Sequence, residues 1–92
     1  MWEPKFVLGN SYKCRYAKKW GYRAVAASYC HDDPFILCRL ETVLVDSRIV
    51  RAYGLARRSV LDKPNRVIGE QRAYGRAAIE LVRAIKENDE TT

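Results

Sequence analysis

Apolar and polar residues alternate through the middle of the chain, as they do in strands that bury one face. Between Phe35 and Val45, one face would carry Ile36, Cys38, Leu40, Thr42 and Leu44. The pattern recurs from Ile49 to Val60, where one face carries Val50, Ala52, Gly54 and Ala56 and the other carries Arg51, Tyr53, Leu55 and Arg57. The short turn at residues 46–48 joins the two segments, so the pattern predicts an antiparallel hairpin.

Residues 21–30 predict a further strand, followed by a turn at residues 31–34. A competing interpretation starts a helix at Asp33 and Pro34, a favourable cap and first position, which places Leu37, Leu40 and Leu44 on one face. The β-branched residues of segments 42–45 and 49–50 favour strands over this helix.

A long helix is predicted from Arg66 to about Glu87, with Asp62 or Asn65 as its cap. Its apolar positions at helical spacing are Ile68, Ala78, Leu81, Val82 and Ile85. Gly75 falls on the same stripe as Ile68, and we expect it to contact the small residues of the preceding strand. Arg76 and Glu80 are spaced for an ion pair one helical turn apart.

These elements predict an α+β fold, in which a small antiparallel sheet of three or four strands is packed against one long C-terminal helix. We expect a single domain over residues 1–92, because no stretch of linker composition divides the chain. Its acidic end, about residues 87–92, is expected to fray.

The chain carries a net charge of +6 that is unevenly placed. Residues 1–60 hold 11 Lys and Arg against 5 Asp and Glu, whereas residues 61–92 hold 6 of each. A basic field attracts nucleic acid or an acidic protein surface. No apolar run approaches the roughly 20 residues that span a bilayer, and no secretory signal is visible, so we expect a cytoplasmic protein without a membrane partner.

The segment from Tyr12 to Arg23 contains five cations, four aromatic residues and no acid. Interleaved cations and rings suit nucleic acid, because cations meet phosphates while rings stack on bases. Tyr12, Tyr16 and Trp20 are also spaced for one helical face, in which case the rings would be core and the lysines solvated. Both interpretations remain open from the sequence.

The basic, aromatic face of the strand that begins at Ile49 has the same character as this segment. The residues predicted to contact nucleic acid or another partner are Lys13, Arg15, Tyr16, Lys18, Lys19, Trp20, Arg23, Arg51, Tyr53 and Arg57.

Catalytic and metal sites are poorly supported by the sequence. Cys30 and His31 are adjacent, and adjacent residues rarely come within hydrogen-bond reach for nucleophilic catalysis. A zinc site would need Cys14, Cys30, His31 and Cys38, whose spacing lacks the close ligand pairs of structural zinc sites. We therefore predict no catalytic residue, no metal ligand and no cofactor.

The C-terminal part of the chain resembles a family of small uncharacterised proteins encoded by bacteriophages. The resemblance covers residues 52–83 and rests on Ser59, Asp62, Arg66, Gly69, Ala73 and the run Gly75-Arg76-Ala77. The chain departs from the family at Pro64, where an aromatic is usual, and at Arg58, where a Cys is common. The resemblance implies a phage accessory protein and no chemistry. We expect Arg66 and Arg76 to pair with Asp62, Glu70 or Glu80.

The sequence therefore suggests a non-enzymatic, phage-type accessory protein that binds nucleic acid or a host nucleoprotein through a basic aromatic surface. The alternative is an inhibitor of a host defence protein, of the anti-CRISPR kind, that acts by protein–protein binding. A third possibility is a homo-oligomeric structural module.

Overall fold

The computed structural model describes residues 5–21, 23–57 and 65–90, and it describes residues 89 and 90 by their backbone only. The elements are β1 (Val7–Leu8), a short 3-10 helix (Ala17–Trp20), β2 (Val25–Asp32), β3 (Phe35–Val43), β4 (Ile49–Arg57) and α1 (Arg66–Glu90). The four strands form one antiparallel sheet in the order β1-β2-β3-β4. Helix α1 packs across one face of this sheet, which confirms the predicted α+β fold.

The register of the strands decides between the two interpretations of residues 33–45. Asp32 pairs with Phe35, so Asp33 and Pro34 form a two-residue turn and the chain continues as a strand. The peptide bond between Asp33 and Pro34 is cis. The competing helix that would begin at this proline is therefore wrong, since eight residue pairs hold β3 against β2.

The predicted strand boundaries extend too far. β2 begins at Val25 rather than at residue 21, because Ala17–Trp20 forms a 3-10 turn that ends at Gly21 in the left-handed conformation (φ 66°). β3 ends at Val43, where Leu44 turns into the connection to β4. The predicted end of the last strand, residues 58–60, lies outside the described residues, as do Ser59, Asp62 and Pro64.

The two predicted faces of the hairpin are confirmed. On β3, Cys38, Leu40 and Thr42 are buried and Ile36 is half-buried, and Leu44 is buried just beyond the end of the strand; on β4, Val50, Ala52, Gly54 and Ala56 are buried. The buried stripe of α1 that meets them consists of Ala73, Tyr74, Ala77, Ala78, Leu81 and Ile85. Alanine and glycine at the interface let the helix backbone approach the sheet closely.

Gly54 is the position at which this approach is closest. A Cβ atom on Gly54 would overlap the carbonyl oxygen of Ala73 and the amide nitrogen of Ala77. Gly75 instead faces open space, so its predicted contact with β4 is wrong. Ile68, which shares a stripe with Gly75, is 43% exposed, because that stripe lies about 100° around the helix from the Tyr74 stripe.

The structure confirms one of the two predicted caps of α1 but not its predicted ion pair. Asn65 is the cap, since its Oδ1 accepts a hydrogen bond from the amide of Ile68 at 3.1 Å. The predicted pair between Arg76 and Glu80 is wrong. Arg76 donates to the carbonyl oxygen of Leu55 on β4, and Glu80 pairs with Arg83 at 3.3 Å. In the part of the chain that the structure describes, no helix has the length and apolar character needed to cross a membrane.

Substitution of the two glycines tests the close approach. We expect Gly54→Ala to lower the free energy of unfolding by about 1–3 kcal/mol or more, because the added methyl group must push the helix backbone away. The matched variant Gly75→Ala adds the same methyl group in open space within a helix, and we expect it to raise stability by about 0.5–1 kcal/mol. Urea unfolding followed by circular dichroism measures both, and equal effects of the two changes would contradict the packing.

Candidate functional site

The basic loop, residues 11–23, connects β1 to β2 and carries the densest positive charge in the chain; its Tyr22 lies outside the described residues. Lys13, Arg15, Lys18 and Lys19 are exposed on it. The 3-10 turn places Lys18 and Lys19 next to each other before the chain reverses at Gly21. The Arg23 guanidinium donates to the carbonyl oxygen of Trp20 at 2.9 Å, which braces this turn.

The aromatic residues of the basic loop do not share one role. Trp20 is only 7% exposed and its ring packs edge-on against Tyr74, with ring centres 6.4 Å apart. Tyr12 packs edge-on against the same Tyr74 ring at 5.8 Å and against Tyr29 at 6.4 Å. The interpretation in which the rings belong to the core therefore applies to Trp20 and, in part, to Tyr12. The Trp20 ring is therefore largely buried within the protein.

Tyr16 differs from the other two rings because cations surround it. The Arg15 guanidinium lies over the Tyr16 ring at 5.0 Å and donates to its hydroxyl oxygen at 2.8 Å. The Lys19 ammonium lies 5.8 Å from the centre of the same ring. Tyr16 is half-buried. Its ring contacts both Arg15 and Lys19, so these two predicted cations lie near one another at the surface.

A polar cluster around Glu70 ties the basic loop to the helix and to β2. The Glu70 side chain is 12% exposed. One carboxylate oxygen accepts a hydrogen bond from the Tyr12 hydroxyl at 3.1 Å, and the other lies 3.3 Å from Nε2 of His31. Partial burial and the neighbouring Glu70 carboxylate raise the pKa of Tyr12. The loop is thus held at Tyr12 by the carboxylate and at Trp20 by ring packing.

Arg66, one of the residues that carry the phage-type resemblance, joins this cluster. Its Nε lies 3.9 Å from a Glu70 carboxylate oxygen, which is the kind of pairing expected for it from the sequence. The His31 side chain contacts both Glu70 and Arg66 in this cluster.

The three cysteines occupy separate environments. Cys30 and Cys38 lie on strands whose side chains alternate, with Cys38 on the face beneath α1 and Cys30 on the other face. Burial raises the pKa of the Cys38 thiol to about 12, so this group stays protonated at neutral pH. Among residues 5–21, 23–57 and 65–90, no three His, Cys, Asp or Glu side chains come together in a way that could hold a metal ion.

The second predicted set of contact residues lies on the open face of the sheet, which we define as the face turned away from α1. Arg51, Tyr53 and Arg57 are all exposed there, and Tyr53 is 49% exposed. Arg51 forms an ion pair with Glu41 on β3, with Nε 2.5 Å from the carboxylate oxygen. Arg51, one of the two predicted cations on this face, is thus balanced within the protein.

Sequence reasoning missed three residues that complete this open face. The Phe6 ring lies 6.0 Å from Tyr53, and the Arg39 guanidinium lies over the Phe6 ring at 4.5 Å. Arg57 lies over the Phe35 ring at 5.7 Å. The alternation along β3 could have identified Phe35 and Arg39, because both face away from the buried positions. Nothing in the local sequence indicates that Phe6 crosses toward Tyr53.

The predicted contact residues therefore form two surfaces rather than one. The basic loop packs on the helix side through Trp20 and Tyr74, whereas Arg51, Tyr53 and Arg57 point away from the helix. The sheet lies between the two surfaces, so a single small ligand cannot touch both.

Comparison of the chain with protein-family models, with curated proteins and with solved structures gives no match.

Proposed function

We propose that this protein is a non-enzymatic accessory factor that binds nucleic acid through the phosphate backbone, using the basic loop. The observation that carries the proposal is a set of four exposed cations, Lys13, Arg15, Lys18 and Lys19, on a loop that is anchored to the core. Phosphate contacts of this kind supply most of the affinity in non-specific nucleic-acid binding.

The sequence around the basic loop contributes no acidic side chain. No acidic residue occurs between Glu3 and Asp32, whereas residues 11–23 contain five Lys and Arg. A concentrated positive field raises the local concentration of a polyanion and its rate of association.

Anchoring of the loop supports the same proposal. A free loop would lose conformational entropy on binding, which weakens association. Here, Trp20 packs on Tyr74 and Tyr12 is bonded to Glu70 before any partner arrives. The backbone of the loop that carries the cations is therefore held in place in the free protein.

The phage-type resemblance suggests where the protein would act. A phage accessory protein would act in the host cytoplasm and would meet host or phage nucleic acid there, free or within a nucleoprotein. The proposed activity requires no cofactor.

The double variant Lys18→Gln with Lys19→Gln tests the proposal. We expect wild-type affinity for a labelled oligonucleotide of mixed sequence to fall as salt rises from about 50 to 200 mM. Each lost phosphate contact lowers the slope of log affinity against log salt by about 0.7 for a single strand, so the double variant should lose about 1.4. Fluorescence anisotropy across the salt series measures both slopes.

The control for this test is Arg72→Gln with Arg83→Gln, which removes the same charge from exposed positions of α1. It should leave the slope near the wild-type value. Wild-type affinity that does not change with salt would overturn the proposal.

A protein partner is the second candidate, and the open face of the sheet is the observation that favours it. Ile49, Tyr53 and Leu55 are each about half exposed on this face, beside Arg51 and Arg57. Clusters of exposed apolar side chains on a monomer mark interaction sites. Arginines beside such a patch suit an acidic protein surface, as an inhibitor of a host defence protein would require.

The variant Leu55→Asp tests this second candidate. Affinity capture from a nuclease-treated bacterial lysate should recover a stoichiometric protein with the wild-type chain and lose it with Leu55→Asp, because a buried carboxylate is costly at an apolar interface. Ile79→Asp, at an exposed apolar position on α1, should retain the protein. Equal capture by both variants would contradict a role for the open face.

A further inference from the structure

A pocket of about 610 Å³ opens between the basic loop, the start of β2 and the middle of α1. Its floor is formed by the buried rings of Trp20 and Tyr74, with Tyr12 and Val25 beside them. Small-molecule sites in proteins are clefts of roughly 300–1,000 Å³ with mostly apolar linings and a few polar groups. This pocket has the size and the lining of such a site.

The mouth of the pocket is positively charged. Lys13, Arg15 and Lys18 are exposed and line it, and among the described residues that line it none is acidic. An apolar, aromatic floor beneath a cationic mouth suits a ligand that is flat and uncharged at one end and anionic at the other. A bare inorganic anion would leave the apolar floor unused.

We propose that the pocket receives one unpaired base of a single-stranded nucleic acid, while the flanking phosphates contact Lys13, Arg15 and Lys18. This inference rests on the proposed nucleic-acid binding and names its substrate class. The flat apolar faces of a base suit the apolar, aromatic lining of the pocket, and the phosphates beside it suit the cationic mouth. In a duplex the base is paired and stacked, and freeing it costs a few kcal/mol, so the pocket selects for single strands.

Three probes at one salt concentration test the inference: a single-stranded oligonucleotide, its duplex, and a deoxyribose-phosphate strand of the same length without bases. The single strand should bind most tightly. The strand without bases should bind about 5- to 150-fold more weakly, which corresponds to about 1–3 kcal/mol for a stacked base. It keeps every phosphate, so the comparison isolates the base.

Trp20 provides a direct signal from the pocket floor. The chain has two tryptophans, and Trp2→Phe leaves Trp20 as the reporter. Its emission should change with the base-containing single strand and stay constant with the strand that lacks bases. An unchanged emission with both strands would contradict entry of a base.

A variant that fills the pocket completes the test. Ala17 is exposed and lines the pocket, and Ala17→Phe should abolish the preference for the base-containing strand while the dependence on salt persists. Ala26→Phe adds the same ring at an exposed position of β2 on the open face and should keep the preference. Circular dichroism checks that both variants fold, with Ala17→Leu as the milder replacement.

The outcomes separate the inference from the proposed function. If the strands with and without bases bind equally and with the same salt dependence, the inference that the pocket binds a base is overturned, whereas the proposed phosphate binding is retained. Duplex affinity equal to single-strand affinity would also overturn it. If the wild-type chain shows no salt-dependent binding to any of the probes, both the base-binding pocket and the proposed phosphate binding are overturned.

Discussion

The close approach of α1 to β4 is the constraint on which the rest of the structure depends. Gly54 has no room for a side chain beneath Ala73 and Ala77, so the helix can lie almost on the sheet backbone. Close-packed interiors tolerate few voids, and this contact fixes the height of the helix over β3 and β4, the strands on which it packs. It also brings Tyr74, which follows Ala73, down to the level where the basic loop can pack on it.

The position of Tyr74 then determines the shape of the functional surface. Trp20 and Tyr12 both contact its ring, and Tyr12 is further held by Glu70, one turn earlier on the same helix. The rings of Tyr12, Trp20 and Tyr74 and the Glu70 carboxylate thereby hold the loop that carries the exposed cations. The loop between these two anchors forms one side of the pocket, and Val25 and the buried Tyr74 belong to its lining.

The sheet divides the charged and aromatic residues into two chemically different surfaces. On the helix side, exposed cations surround a half-buried Tyr16 and a pocket. On the open face, arginines lie over Phe6 and Phe35 among exposed aliphatic side chains, and Arg51 is already paired with Glu41. The first surface is the one that we propose for phosphates and bases, and the second is the one that we propose for a protein partner.

The sequence by itself determined the strands of the hairpin, their buried faces and the long helix, because periods of 2 and 3.6 residues are local properties. It narrowed the cap of the helix to Asp62 or Asn65, and the structure shows that Asn65 accepts the amide hydrogen bond. Only the tertiary structure decided that Gly54 rather than Gly75 meets its neighbour, that Trp20 is core, and that Phe6 reaches Tyr53. Those outcomes depend on which surfaces meet in space. Two glycines, or two aromatic residues beside lysines, look alike in the sequence until packing buries one and exposes the other.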